Sequence, residues 1–360
     1  MGAGLSGLIT ALILEKHGIT PVIFEKRSQV GDRFFNGEVL FSLLSMPYKD
    51  IIAYLANHYQ IYLRPINNIR YLILHSEKQK AVINGHLGFI NYRGRSPYSF
   101  ENQLAGALKS KIIFNSDFTY EQLLKEFTHI VLSTGDAAYA SKIQDYQQDL
   151  TATLHGVRVT GKFNRYTVMT WLNNRFAPKG YGYLIPLSEQ KADLVTWIPD
   201  YPENRRYEQQ SLWDDFYAQA CKDLDQDLTI TSHFEVNRYI IGNCHYPRIG
   251  NTFFTGNCFG AITPFLGFGQ SIAILTGIYA AQDLSGQGNY EELCRPLKQN
   301  YQNSLVLRRA WERFDNKRFD MLVRFFGTKL GNRIFNPKKL DMVKIASYLA
   351  RPWIIHKRMV

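Results

Sequence analysis

At 360 residues, with 45% hydrophobic, 20% charged and 14% aromatic side chains, the chain is too apolar to stay disordered and long enough for two packed domains. Its formal net charge of +11 is unevenly spread: residues 295–360 hold sixteen Lys or Arg against four Asp or Glu, a net of +12, which leaves −1 for residues 1–294. The chain is therefore a near-neutral body with a basic C-terminal segment, a kind of segment that suits nucleic acid, an anionic membrane surface or no partner at all.

In chain order, Met1 is followed at once by Gly2-Ala3-Gly4-Leu5-Ser6-Gly7. Leu8 to His17 is apolar at helical spacing, and Gly18 stands where a helix C-terminal glycine belongs. Ile19 to Phe24 reads as a short buried strand that ends at Glu25. Residues 40–64 predict a helix with Leu43, Leu44, Ile51, Ile52 and Leu55 toward the core. Strands are expected over 70–92, a helix over 100–108, and short strands at 112–114 and 130–132, the latter running into Ser133-Thr134-Gly135-Asp136. Residues 152–200 predict an antiparallel sheet, and 208–224 and 269–284 predict helices. From Tyr290 onward the chain reads as helical and basic. Ala261 to Ala281 carries no charge over 21 positions, but Pro264, Gly267 and Gly269 interrupt it. A membrane-crossing helix of about 20 continuous residues is not expected there.

Cys221, Cys244, Cys258 and Cys294 form no CxxC pair and stand at no metal-ligand spacing with histidine. That pattern predicts reduced thiols, no metal and a cytoplasmic chain. No basic-then-apolar leader opens the sequence.

The first chemistry-bearing motif is Gly2-x-Gly4-x-x-Gly7 directly before a helix, with Glu25 following 23 residues after Gly2. Gly2 permits the tight turn, Gly4 lets backbone N–H groups approach a pyrophosphate, and Gly7 lets the helix pack on the sheet. Leu5 and Ser6 contribute N–H groups at the helix start, where the partial positive charge favours an anion. Glu25 can accept from an adenosine ribose, and an acid there favours FAD or NAD over NADP. No residues are present to form the strand that ordinarily precedes such a turn. The chain is expected to begin upstream, the alternative being a sheet without its middle strand.

The second is Gly256-Asn257-Cys258 through Pro264-Phe265-Leu266-Gly267-Phe268-Gly269, leading into the helix from Gln270. This resembles the second flavin-binding segment of two-segment FAD hydroxylases and reductases. With Ala273-Ile274-Leu275-Thr276-Gly277 after it, the stretch looks most like the geranylgeranyl reductase family. Three other stretches agree. Glu25-Lys26 through Gly31-Asp32-Arg33 resembles the family's ribose acid followed by a Gly and an Arg near the flavin. Ser133-Thr134-Gly135 resembles its Ala-Thr-Gly strand end. Tyr181-Gly182-Tyr183-Leu184-Ile185-Pro186 resembles its Tyr-x-Trp-x-Phe-Pro substrate motif. Asn257 stands where the family has Asp or Glu; its amide oxygen can still accept from ribitol hydroxyls, without the charge.

The resemblance implies an α/β fold: a Rossmann-like FAD domain (1–69, 110–150 and 236–289), an inserted antiparallel β-sheet substrate domain (70–109 and 151–235) and a basic helical C-terminal segment (290–360). FAD would be bound by Gly2, Gly4, Leu5, Ser6, Gly7, Glu25, Lys26, Arg33, Gly135, Gly256, Asn257, Pro264, Gly267, Phe268 and Gly269. An apolar substrate would lie against Tyr181, Tyr183 and Pro186. The implied reaction is hydride transfer from reduced flavin N5 to a C=C bond of a prenyl lipid, with NAD(P)H or a ferredoxin-like protein as reductant. A monooxygenase or halogenase, and a flavin-binding protein without turnover, stand as alternatives. Tyr181, Tyr183, Cys258 and His245 are proton donors by type alone, and no catalytic side chain is singled out. In the tail, Met342, Ile345, Ala346 and Leu349 form an apolar row flanked by Lys338, Lys339, Lys344 and Arg351, with Trp353 beyond and Lys357 and Arg358 near the end. That pattern predicts peripheral contact with an anionic membrane; no nucleic-acid-binding signature accompanies the charge.

Overall fold

The computed structural model describes residues 1–32, 36–45, 47–335 and 340–355. Arg33, Lys338, Lys339, Lys357 and Arg358 lie outside them. In chain order the elements are α1 (Leu5–Lys16), β1 (Ile23–Phe24), β2 (Gly37–Phe41), α2 (Ile51–Tyr59), β3 (Asn67–Ser76), β4 (Lys80–Tyr92), α3 (Phe100–Ala107), β5 (Ile112–Ile113), α4 (Tyr120–Glu126), β6 (Ile130–Leu132), α5 (Ala137–Ile143) and β7 (Tyr146–Thr160). There follow β8 (Thr167–Leu172), β9 (Tyr181–Pro186), β10 (Lys191–Pro199), α6 (Gln209–Leu224), β11 (Thr229–Cys244), β12 (Arg248–Ile249), β13 (Thr252–Phe254), α7 (Gln270–Leu284), α8 (Tyr290–Trp311), α9 (Asn316–Phe326), α10 (Lys329–Ile334) and α11 (Met342–Ile355).

The first layer is built from short parallel strands. β1 pairs with β5 on one side, and β6 pairs with β13, which carries β12, on the other. Between β1 and β6 stand Met1 and Gly2. Gly2 N–H donates to the Phe24 carbonyl at 2.7 Å, the Met1 amino group to the Val131 carbonyl at 2.8 Å, and Ser133 N–H to the Met1 carbonyl at 2.8 Å. Against this layer lie α1 and α7. A helix buried on every side is apolar all round rather than striped, and α1 fits that description: Leu5, Leu8, Ile9, Leu12 and Ile13 are all buried. The two helices meet through Gly277, where an added Cβ would come within 2.4 Å of the Ser6 carbonyl oxygen. The Thr10 hydroxyl donates to the Gly277 carbonyl at 3.0 Å.

The second layer is an eight-stranded sheet of order β11-β7-β10-β9-β8-β3-β4-β2, antiparallel except for the β3–β8 pair. Its edge strand β2 comes from the segment just after the first motif. One face is covered by α6, whose Trp213 and Phe216 pack with Trp171, Phe176 and Leu184. On the other, α8 and α9 bring Trp311, Phe319 and Val323 against residues of β3, β4 and β9.

Two stretches depart from the expected elements. Residues 40–64 are not one helix but the end of β2, a short 3-10 turn at Ser42–Leu44 and then α2. Residues 37–41 pair with 88–92 of β4, and that ladder overrides a weak local helical preference. The long strand β11 was not foreseen, although it lies at the sheet edge with exposed Thr231, His233 and Glu235 alternating with half-buried Ile230, Phe234 and Val236. The uncharged Ala261–Ala281 stretch is half loop and half α7, and among the described residues no helix is long and apolar enough to cross a membrane.

Candidate cofactor and substrate site

The glycine turn is shaped as its spacing predicts. Gly2 has φ +105°, and a Cβ there would strike the Ser133 carbonyl oxygen at 2.2 Å. A Cβ on Gly7 would strike the Gly2 carbonyl oxygen, also at 2.2 Å. A Cβ on Gly4, by contrast, would meet nothing within 4 Å. Gly2 and Gly7 thus hold the turn against the strand ends, while Gly4 faces open space. α1 has Gly4 as its N-cap, with no side-chain cap and no acid in the first turn. α7 begins on Gly269 in the same way. Two buried helices therefore present uncapped N–H groups.

Glu25 sits at the end of β1, beside the turn. Its Oε2 accepts from Ala3 N–H at 2.7 Å and its Oε1 from Arg27 N–H at 2.9 Å, so both oxygens are fixed in place and each keeps a lone pair. Lys26 is exposed. Across the turn, Asn257 Nδ2 donates to the Gly135 carbonyl at 2.7 Å. That bond leaves Asn257 Oδ1 without a partner among the described residues, and Asn257 lines a cavity between the starts of α1 and α7 and the large sheet. Gly256 follows β13 and lies against Ser6. These features suit an adenine dinucleotide: an acid for the ribose, uncapped N–H groups for the pyrophosphate, and an open acceptor farther along.

The cavity, of about 160 Å³, lies between the start of α1, the start of α7 and the large sheet. Leu5, Asn257, Leu266, Gly267, Phe268 and Gly269 form its nucleotide side. Opposite them stand Tyr181, Tyr183, Trp197 and Tyr239 of the sheet, with Glu38 and Arg93 from β2 and the end of β4. Tyr181 and Tyr183 both face it because residues two apart on a strand share a face. Pro186, the last residue of β9, pairs with Ala192 of β10 and is not part of the cavity wall. Pro264 is buried beneath the loop, also off the wall.

The geometry separates the four proton-donor types. The Tyr181 hydroxyl donates to the Leu266 carbonyl at 2.5 Å, so it ties the loop to the sheet. Cys258 is fully buried away from the cavity, bonded to the Thr134 hydroxyl at 3.1 Å, and burial pushes its thiol up to about 11. His245 lies beside Tyr246, where Lys298 donates to its carbonyl. The Tyr183 hydroxyl alone among them lines the cavity with no hydrogen-bond partner among the described residues. Burial raises it well above the ordinary phenol value, so it stays protonated.

Several wall residues escaped the sequence reading. Arg93 bonds Glu38 at 2.8 Å and Glu101 at 2.6 Å, and so fixes one rim of the cavity. The Trp197 indole donates to the Tyr239 hydroxyl and stacks on Tyr181 with centroids 5.5 Å apart. Behind Trp197 lies Arg308 of α8, fully buried, its guanidinium 5.3 Å from the Trp197 ring and donating to the Lys179 carbonyl at 2.5 Å. α8 also holds the loop of residues 264–269, since Ser304 Oγ accepts from Phe265 N–H at 2.9 Å. The signal was faint: an isolated Arg in a basic helix reads as solvated charge.

Residues 1–45 match the family described as NAD(P)-binding Rossmann-like domain. No curated protein matches the chain. Among solved structures, a geranylgeranyl bacteriochlorophyll reductase-like protein from Thermoplasma acidophilum is similar at TM-score 0.70 and 13% identity, over 97% of each chain. The flavin-dependent brominase Bmp2 is similar at TM-score 0.67 and 12% identity, over 99% of this chain and 97% of that one. p-Nitrophenol 4-monooxygenase PnpA from Pseudomonas putida is similar at 0.63 and 13%, over 96% of each. At such identities the likeness is one of fold: the chain has the fold of FAD-dependent oxidoreductases, with a Rossmann-like domain, a large curved sheet and C-terminal helices. The Rossmann match covers the glycine turn, α1 and Glu25.

Proposed function

We propose that the chain is an FAD-dependent reductase that saturates a C=C bond at the apolar, prenyl end of a lipid. The observation that carries this reading is the Tyr183 hydroxyl, without a hydrogen-bond partner among the described residues, in a cavity walled mainly by Tyr, Trp, Phe, Leu, Ile and Val side chains, with Asn36, Glu38, Arg93, Thr170, Asn257 and Gln270 completing the wall. Bound FAD, once reduced by NAD(P)H or a protein donor, supplies the hydride. Glu25 and the N–H groups at the start of α1 would hold its adenosine and pyrophosphate. Asn257 Oδ1 would accept from the ribitol, and the α7 N-terminus would face the ring system. Tyr181 and Trp197 orient the substrate's apolar end, and Tyr183 Oη delivers the proton. Hydride added to one carbon of the C=C bond leaves its electron pair on the other carbon, a carbanion far more basic than a phenolate, so a hydroxyl kept protonated by burial suits the task of protonating it.

The likeness of fold to a flavin-dependent brominase and to a monooxygenase supports a second reading, a monooxygenase or halogenase. Against a halogenase, no lysine lines the cavity among the described residues. A flavin-binding protein without turnover is the third.

The test is anaerobic. The bound flavin is reduced with dithionite, a prenyl lipid is added, and recovery of the oxidised flavin spectrum is followed. Recovery without oxygen supports the reductase, and Tyr183→Phe should slow it about 10²–10⁴-fold while leaving flavin binding intact. Recovery only with oxygen, with an oxygenated or halogenated product formed, supports the monooxygenase or halogenase. Recovery with oxygen but no change in the added compound leaves the non-catalytic reading.

A further inference from the structure

A surface helix ordinarily turns its apolar side inward. α11 does the opposite. Its one fully buried side chain is Ser347, set against α8, where Arg351 reaches Asn303 Oδ1 at 3.5 Å. Its outer face carries Ile345, Leu349 and Trp353 at i, i+4 and i+8, with Tyr348 and Pro352 alongside. Leu349 is 74% exposed and Trp353 66%. Scattered exposed leucines mean little, but a continuous row on one helical face marks a surface that something else covers.

The charges around that row select its partner. α11 contains no acid. Lys344 is exposed on it, and Arg351 lies 4.4 Å from the Tyr348 ring. At its far end Arg313 donates to the Trp353 carbonyl, and Arg318 in turn donates to the Arg313 carbonyl at 2.5 Å. The neighbouring acid, Asp341, is turned to the helix start, where it accepts from Lys344 N–H at 2.9 Å. A second copy of the chain would set this cationic rim against itself, whereas an anionic surface complements it. Tyr and Trp at the edge of an apolar row are the residues that settle at a lipid headgroup boundary. Fourteen residues give a helix about 21 Å long, too short to span a bilayer but suited to lying in its surface.

We infer that the outer face of α11 docks on an anionic lipid bilayer. Its inner side packs against the Ser42–Leu44 turn. The next residue, Ser45, receives a 2.9 Å hydrogen bond from Ser271 in the first turn of α7, beside the cavity. On the reading of a lipid substrate, this places the membrane two packing layers from the reacting site.

The test uses the whole chain loaded with FAD, sedimented with phosphatidylcholine vesicles with and without phosphatidylglycerol. Binding to the anionic vesicles only, released by rising salt, is the expected result. The double variant Leu349→Glu/Trp353→Glu should lower the partition about tenfold to a hundredfold, as expected for withdrawing two apolar side chains, with thermal midpoint and flavin content unchanged. Lys344→Glu should weaken binding to anionic vesicles alone. Equal binding to neutral vesicles, or wild-type binding by the double variant, overturns the proposal. So does no binding at all, or a dimer in sedimentation velocity that the double variant dissolves. Flavin content is read on the same samples, so a protein that binds vesicles but holds no FAD would sink the enzymatic reading and leave the docking face standing.

Discussion

α1 and α11 are helices of 12 and 14 residues, both rich in Leu and Ile. Leu8 of α1 is wholly buried and Leu349 of α11 is 74% exposed. The difference lies not in the helices but in what each one meets. α1 is enclosed by α7, α3 and the parallel strands, and its small residues, Gly7 and Ser6, let the neighbours approach. α11 meets the body only through small and half-buried residues and keeps its large side chains outside. An apolar run in a sequence therefore reports that burial is sought, while the partner is set elsewhere in the fold.

Substituting the same residue on both helices sharpens this comparison. Leu8→Ala should cost about 2–5 kcal/mol, because the surrounding core cannot close on the cavity; urea unfolding measures it. Leu349→Ala in the same assay should change stability by no more than about 0.5 kcal/mol. A large loss at Leu349 would mean that its face is covered in the free protein, which would break the contrast.

A second pair lies within α1's own turn. Gly7→Ala forces a Cβ onto backbone and should cost about 1–3 kcal/mol or more. Gly4→Ala points into open space, so the fold should hold while FAD affinity falls about tenfold or more, as read by flavin titration against thermal midpoint. If both variants lose stability alike, the open space at Gly4 is not a cradle.

A third contrast, between charge and hydrogen bond, lies at Asn257. Restoring the carboxylate common in the resembled family, Asn257→Asp, removes the donor to the Gly135 carbonyl and faces two acceptors together. It should destabilise by about 1–3 kcal/mol and weaken FAD binding rather than strengthen it. A gain in affinity would show that the charge matters more than the bond.

Much of this arrangement was legible in the sequence, for identifiable reasons. The glycine turn, α1 and Glu25 are local, and their spacing carries the mechanics of the turn. Tyr181 and Tyr183 share a strand, so alternation alone puts them on one face. What escaped is held together across long separations. Glu38 meets Arg93 only because β2 pairs with β4, and β2 was not expected: its last two residues fall in the expected helix and residues 37–39 in no element. Arg308 reaches Trp197 across more than a hundred positions. α4 is a different case: Thr119 and Gln122 form a capping box that was there to be read. For α11 the sequence showed an apolar row and basic flanks, but not which side would face outward.

The account rests on one coenzyme lying across the starts of α1 and α7, and the most direct measurement is flavin uptake by the purified chain. Titration with FAD, followed by gel filtration and a visible spectrum, should yield a yellow protein with about one flavin per chain, and Gly4→Ala should lower that affinity without unfolding. A folded protein that stays colourless in excess FAD would contradict the account at its centre.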